Sequence, residues 1–253
     1  MNSPAHSPAH PPAHAPAHAP AHALASLDAL GSALLPATDV APTLSAAALG
    51  GQRGDRPLFG GIDLTLRPGQ VVWLRGRNGR GKTSLLRLMA GLTAPAAGAV
   101  SCDGQVLSSL PAEWRRRLVY IAHASALKDD MTVAENLRFG AALQGRQVSA
   151  AEIDAALASW SIAALRDAPV RRLSQGQRRR TALARLALPH PPSVWLLDEP
   201  FDALDDEGVA ILCAQLSSQA RRGGSVMLTS HQAVPLRDPV PLTLELDAHA
   251  LVA

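Results

Sequence analysis

The run Gly76-Arg77-Asn78-Gly79-Arg80-Gly81-Lys82-Thr83 follows the pattern G-x-x-x-x-G-K-[ST]. Glycines at this spacing let the backbone curl with its N–H groups pointing inward, and the N-terminus of a following helix adds a favourable field for an anion. The chemistry is that of a nucleotide phosphate site. Lys82 reaches the β- and γ-phosphates, and Thr83, followed by Ser84, offers a hydroxyl to Mg2+. Average residue usage produces the pattern by chance in roughly one chain per hundred of this length. A glycine-rich turn without a ligand is the alternative, and a strand before the loop and a helix after it weigh against it.

A phosphate loop is common to kinases, GTPases and ATPases, so other residues must decide between them. Val194-Trp195-Leu196-Leu197 is apolar on both faces, as a buried parallel strand is, and it ends in Asp198-Glu199-Pro200. Asp198 at the strand end is suited to hold Mg2+ directly or through water, and Glu199 to polarise an attacking water as general base. That one carboxylate merely caps the next helix is the weaker reading in a chain that already has a phosphate loop. Leu173-Ser174-Gln175-Gly176-Gln177 then opens a helical run to about Leu188. Ser174 and Gln177 fit a capping box, and a helix N-terminus with a serine hydroxyl and a close-approach glycine is a second phosphate-binding surface. Two such ends in one domain make sense if the second serves another copy of the chain.

The elements that must position these residues can be read from the same sequence. Thr43–Ala48, Ile62–Leu66 and Val71–Leu74 read as short strands between Gly, Pro and Asp turns. The helix Thr83–Ala90 follows the loop, and Ala99–Ser101 and Gln105–Leu107 make a hairpin about Asp103-Gly104. From Glu113 to Leu188 the pattern is mostly helical, with capping boxes at Thr132/Glu135 and Ser149/Glu152. Strands return at Val194–Leu197, Ser225–Thr229 and Leu242–Leu246, with a helix from about Asp205 to Arg222 ended by Gly223-Gly224. The expected class is α/β with a helical insertion.

Composition bounds the rest. Residues Ser3–His22 are five tetrapeptides ending in Pro-Ala-His. Proline at every fourth position forbids helix and strand, so residues 1–38 are expected to be a disordered tail and not a secretory signal. Its five histidines read either as a metal- or haem-binding tract or as low-complexity drift, including a start placed too early. The formal charge is +3, which forces no nucleic-acid footprint. The cluster Arg171, Arg172, Arg178, Arg179 and Arg180 reads as a solvated helical face. Cys102 and Cys213 lie far apart and read as reduced thiols of a cytoplasmic protein, neither disulfide nor metal site. No apolar run approaches the eighteen or so residues of a spanning helix, so any membrane span is expected from another subunit.

In this order the motifs resemble the nucleotide-binding domain of ABC transporters, over about residues 40–246. The resemblance implies a P-loop NTPase fold across residues 39–253: a RecA-like core, an antiparallel β subdomain and a helical subdomain at about 111–173. It implies a head-to-tail homodimer that sandwiches two ATP molecules with Mg2+, beside integral membrane subunits. In it Ser174, Gly176 and Gln177 act on the partner's ATP, and Asp205, in Ala203-Leu204-Asp205, matches the loop crossing the dimer interface. His231, in Leu228-Thr229-Ser230-His231-Gln232, matches the switch histidine at the γ-phosphate, and so joins Glu199 and Lys82 as catalytic.

Two positions depart from the family pattern. His123, in Tyr120-Ile121-Ala122-His123, stands where most members carry the lid glutamine that touches Mg2+ or its water. A histidine ligates only when neutral, so coupled hydrolysis is expected to weaken as it protonates; a lid histidine with no ligand role is the alternative. No aromatic occupies the adenine-stacking region, where Arg53 is expected to stack through its guanidinium, with loose selectivity for ATP over GTP. More narrowly, the runs YIAHASALKDDMTVAENLRF, GKTSLLRLMAGLTAPAAG, LSQGQRRRTALARL, LLDEPFDALD and GGSVMLTSHQ resemble the haem-handling branch that serves cytochrome c biogenesis. That branch implies a peripheral protein on the cytoplasmic face of the inner membrane, handling haem indirectly by driving haem export or its release from a periplasmic chaperone. An ATPase of another small ABC transporter shares all five motifs. A soluble ABC ATPase acting on DNA or ribosomes carries a long coiled coil or two cassettes; here one cassette has about ninety residues between Lys82 and Ser174. A non-catalytic scaffold would lack Lys82, Glu199 or His231, and all are present.

Overall fold

The computed structural model describes Met1 and residues 40–190 and 193–251. Apart from Met1, the tail expected at residues 1–38 lies outside the described residues. The strands are β1 (Leu44–Arg53), β2 (Arg56–Leu66), β3 (Val71–Arg75), β4 (Ala97–Cys102), β5 (Gln105–Val106), β6 (Leu118–Ile121), β7 (Val194–Leu197), β8 (Ser225–Thr229) and β9 (Leu242–Glu245). The α-helices are α1 (Lys82–Met89), α2 (Val133–Leu143), α3 (Ala150–Ser159), α4 (Gln175–Leu183) and α5 (Asp206–Arg221).

Two sheets organise these elements. One is antiparallel, in the order β2–β1–β4–β5, and the other has the order β6–β7–β8–β3–β9 with every pairing parallel. Strands β7 and β8 are buried on both faces, as strands that are apolar without alternation must be, while the edge strand β9 is largely exposed. In β7, Val194 and Leu196 pack with Leu74, Leu85 and Met227, while Trp195 and Leu197 pack with Leu137, Trp160 and Leu228 on the opposite face. Each such side chain taken fully out of water contributes about 1.5–3 kcal/mol. This fixes β7 as an interior strand between β6 and β8, and with it the residues at its C-terminal exit.

The capping residues behave as their spacing predicts. Thr132, Ser149 and Ser174 each accept the backbone N–H three residues on, and Glu135, Glu152 and Gln177 each reach back to the cap's own N–H. The hairpin turn at Asp103-Gly104 takes positive φ at both residues, 48° and 81°, as a tight two-residue turn requires.

Two expectations are corrected. Leu118–Ile121, read as part of a mostly helical stretch and inside the expected 111–173 helical subdomain, is strand β6, paired in register with β7. A run of four apolar residues does not separate helix from strand by periodicity, and only the neighbouring strand decides it. Arg179 and Arg180 are not on a solvated face: they are 4% and 8% exposed. The helical run opened by Ser174 extends to Ala187 as its sequence predicts, α-helical to Leu183 and 3-10 over Ala184–Ala187. Among the described residues no helix is long and apolar enough to cross a membrane. Both cysteines are free thiols. Cys102 accepts a hydrogen bond from the Trp114 indole, and burial pushes its pKa up to about 11.

Candidate functional site

The phosphate loop spans the gap between the end of β3 at Arg75 and the start of α1 at Lys82. Gly81 caps that helix at φ 102°, and a Cβ there would meet the Phe59 ring at 2.9 Å. Only glycine combines that backbone with that closeness. Lys82 is buried, and its Nζ donates to the Gly76 carbonyl at 2.8 Å.

The two carboxylates at the exit of β7 lie beside the first turn of α1. The Thr83 hydroxyl donates to Asp198 Oδ2 at 2.8 Å, and the Thr229 hydroxyl, at the end of β8, donates to Asp198 Oδ1 at 2.9 Å. Thr229 also accepts the Glu199 backbone N–H at 2.7 Å, so one hydroxyl ties both acids to the neighbouring strand. The oxygens of Thr83 and Asp198 are hard donors of the kind that Mg2+ takes.

Glu199 sits at φ 47°, a left-handed conformation uncommon outside glycine and held only where its surroundings over-determine it. Those surroundings are explicit: its N–H is held by Thr229, and its carbonyl accepts from the Arg179 guanidinium. Its side chain is 7% exposed, with Oε1 3.8 Å from Lys82 Nζ and 3.2 Å from His231 Nε2. The His231 backbone N–H donates to Oε2 at 3.0 Å. Burial pushes the Glu199 carboxyl above the usual carboxylate range, and the neighbouring His231 and Lys82 offset part of that rise.

One cleft of about 700 Å3 brings together most of the site residues expected from sequence: Arg53, Arg77, Asn78, Gly79, Gly81, Lys82, Thr83, Ser84, His123, Asp198, Glu199 and His231. Two loop residues stand apart from its lining: Gly76 binds Lys82 through its carbonyl, and Arg80 turns to Asp247 at 3.3 Å. His123 is largely exposed, with its Nδ1 3.5 Å from Asp202. Ser174, Gly176, Gln177 and Asp205 line a different cleft, which shares no lining residue with the first. There Asp205 caps α5 by accepting the Gly208 N–H at 3.0 Å and pairs with the buried Arg180 at 2.5 Å, and both contacts pull its carboxyl pKa down.

Sequence reasoning missed the residues that hold the acids in place. Thr229 was legible only as a strand end, and Arg179 only as one arginine in a cluster. Arg179 donates to the carbonyls of Ala122, His123, Asp198, Glu199 and Pro200, tying α4 to the exits of β6 and β7 at once. Asp247 carried no local signal at all.

Comparison with known proteins agrees with this architecture. The ABC transporter family profile matches residues 59–202. The chain is 46% identical over 185 residues to the cytochrome c biogenesis ATP-binding export protein of Methylococcus capsulatus, covering 73% of this chain and 89% of that one. Its counterpart from Aromatoleum aromaticum is 45% identical over 205 residues, 81% of this chain and 95% of the other. Among solved structures, an ABC transporter ATP-binding protein from Pyrococcus furiosus shares the fold with a TM-score of 0.71 at 24% identity, over 83% of this chain and 100% of that one. The ATP-binding subunit of another ABC transporter aligns with a TM-score of 0.66 at 26% identity, over 74% and 79% of the two chains. The chain therefore belongs to the ABC transporter ATP-binding family, in the branch of the cytochrome c biogenesis ATP-binding export proteins.

Proposed function

We propose that this chain is the ATP-hydrolysing subunit that drives haem handling in cytochrome c biogenesis. It works peripherally on the cytoplasmic face of the inner membrane, beside integral membrane subunits, and its hydrolysis is coupled to haem export or to release of haem from a periplasmic chaperone. The observation that carries the chemistry is Glu199: a buried carboxylate with one oxygen facing both Lys82 and His231, on the wall of the phosphate-loop cleft.

Each residue then has a defined task. The loop amides and Lys82 hold the triphosphate, the Lys82 ammonium keeping one N–H on the Gly76 carbonyl and offering the other two to phosphate oxygens. Glu199 takes the proton of the attacking water, its pKa raised toward the working range by burial. His231 faces the γ-phosphate from the other side of Glu199. Thr83 and Asp198 would hold Mg2+, which would supply positive charge against that developing on the phosphate. His123, a nitrogen donor, suits the outer sphere of that ion better than its oxygen-loving inner sphere. Arg53, at the β1–β2 hairpin and on the same cleft, offers a flat guanidinium to the base.

The separation of the two clefts supports a homodimer. Ser174, Gly176 and Gln177, at the N-terminus of α4, serve the ATP held by the other subunit's phosphate loop, and Asp205 lies at the crossing. The test is Glu199→Gln, which keeps the shape of the side chain and removes its basicity. We expect retained ATP binding, turnover reduced at least about 100-fold, and an ATP-stabilised dimer on size exclusion. Full turnover in that variant would overturn the assignment of the base.

A further inference from the structure

Strand β9 runs parallel to β3 with Leu244 opposite Leu74 and Glu245 opposite Arg75, so the two strands end side by side. The chain then enters a 3-10 turn, Leu246–His249, against the start of the phosphate loop. The approach is close: a Cβ on Gly76 would come within 3.2 Å of the Leu246 Cβ. Glu245 pairs with Arg75 at 3.0 Å, and Asp247 reaches the loop itself. Its Oδ2 accepts the Arg77 backbone N–H at 3.2 Å, and its Oδ1 lies 3.3 Å from the Arg80 Nε.

The Arg77 N–H and the Gly76 carbonyl are two ends of one planar trans peptide group, pointing in opposite directions. The other end is also taken, because the Gly76 carbonyl accepts from Lys82 Nζ at 2.8 Å. A single rigid plane therefore has the Asp247 carboxylate at one edge and the Lys82 amine at the other. Gly76 sits at φ 148°, and a residue without a side chain gives that plane little resistance to turning over. Something outside the loop must hold it.

We propose that Asp247 is a positioning residue for Lys82, acting through the peptide group between Gly76 and Arg77. The carboxylate fixes the plane, and the plane presents the carbonyl that parks the lysine amine at the mouth of the loop. The ion pairs of Asp247 are secondary: the Arg77 side chain is 71% exposed, and an exposed pair contributes little. The proposal rests on the reading that Lys82 meets the nucleotide phosphates.

The test is equilibrium binding of Mg-ATP to the full chain, comparing the parent with D247A, D247N, K82A and the D247A/K82A double variant. D247A is expected to bind about tenfold more weakly, since the peptide loses its partner. D247N, whose amide oxygen still accepts the Arg77 N–H, should stay within about twofold of the parent. In the K82A background D247A should add less than about twofold, because the route through the lysine is already cut. Asp247 is one-third exposed, and thermal unfolding of D247A within a few degrees of the parent accompanies the expected result. The proposal fails if D247A binds like the parent, if D247N is as weak as D247A, or if the full loss persists without Lys82. A parent that binds no Mg-ATP would bring down the functional reading as well as the tether.

Discussion

Replacing Arg179 with methionine removes five N–H donors from a place where five backbone carbonyls depend on them. The guanidinium has five N–H bonds, and each has its own acceptor: Nε to Pro200, Nη1 to Ala122 and His123, Nη2 to Asp198 and Glu199. The group is buried, which pulls its pKa down without discharging it, since the unperturbed value is so high. Hydrogen bonds to a charged group contribute about 1.5–3 kcal/mol each, and those that share one side chain do not add. A buried carbonyl left without a donor costs about 1–3 kcal/mol, and the five losses do not simply add, so R179M is expected to lose about 4 kcal/mol. For a domain of this size that lowers Tm by roughly 10 °C. R179K keeps the charge and three donors and should lose about half as much. The control is the adjacent residue of the same sequence cluster: Arg178 pairs with Asp129 at 2.7 Å with both side chains substantially exposed, so R178M should cost under about 1 kcal/mol. Urea unfolding of the three variants is the assay. If R179M cost no more than R178M, the view that Arg179 clamps the two strand exits would be refuted.

Two further outcomes follow from the wall of the cleft. Burial lifts the Glu199 carboxyl above the ordinary carboxylate range, and a base must be unprotonated to act. ATPase activity should therefore fall as pH drops through that raised value, placing the acid limb of kcat/KM above the roughly 4.3 of a free glutamate. The same shift means that the folded state binds this proton more tightly than the unfolded one. Its contribution to stability is present below the unfolded pKa and is lost as pH rises through the folded pKa, a slope that Glu199→Gln should flatten in stability measured against pH. An acid limb at or below the free-carboxylate value would contradict this. Thr229→Val deletes the hydroxyl that donates to Asp198 and accepts from Glu199, leaving an N–H and a carboxylate oxygen without that partner. It should cost about 2 kcal/mol and depress turnover more than ATP affinity; chemical denaturation and steady-state kinetics check both.

The candidate site was legible in the sequence wherever a motif sets residue types at a fixed local spacing. The phosphate loop from Gly76 to Thr83, the carboxylate pair at the end of an apolar strand and the three capping boxes all depend on neighbours within about eight residues, so physics that reaches only that far reveals them. Tertiary structure decided what depends on distant neighbours. Leu118–Ile121 became a strand because β7 stood ready to pair with it. Arg178 and Arg179 are adjacent in sequence, yet one faces solvent and the other is buried among five carbonyls, since on a helix consecutive side chains point about 100° apart. Asp247 lies 170 residues from the N–H that it binds, and no local pattern links the two. Burial and neighbouring side chains, not composition, raise the pKa of Glu199 and hold Lys82 beside it, because both depend on how much water and which partners the folded chain leaves there.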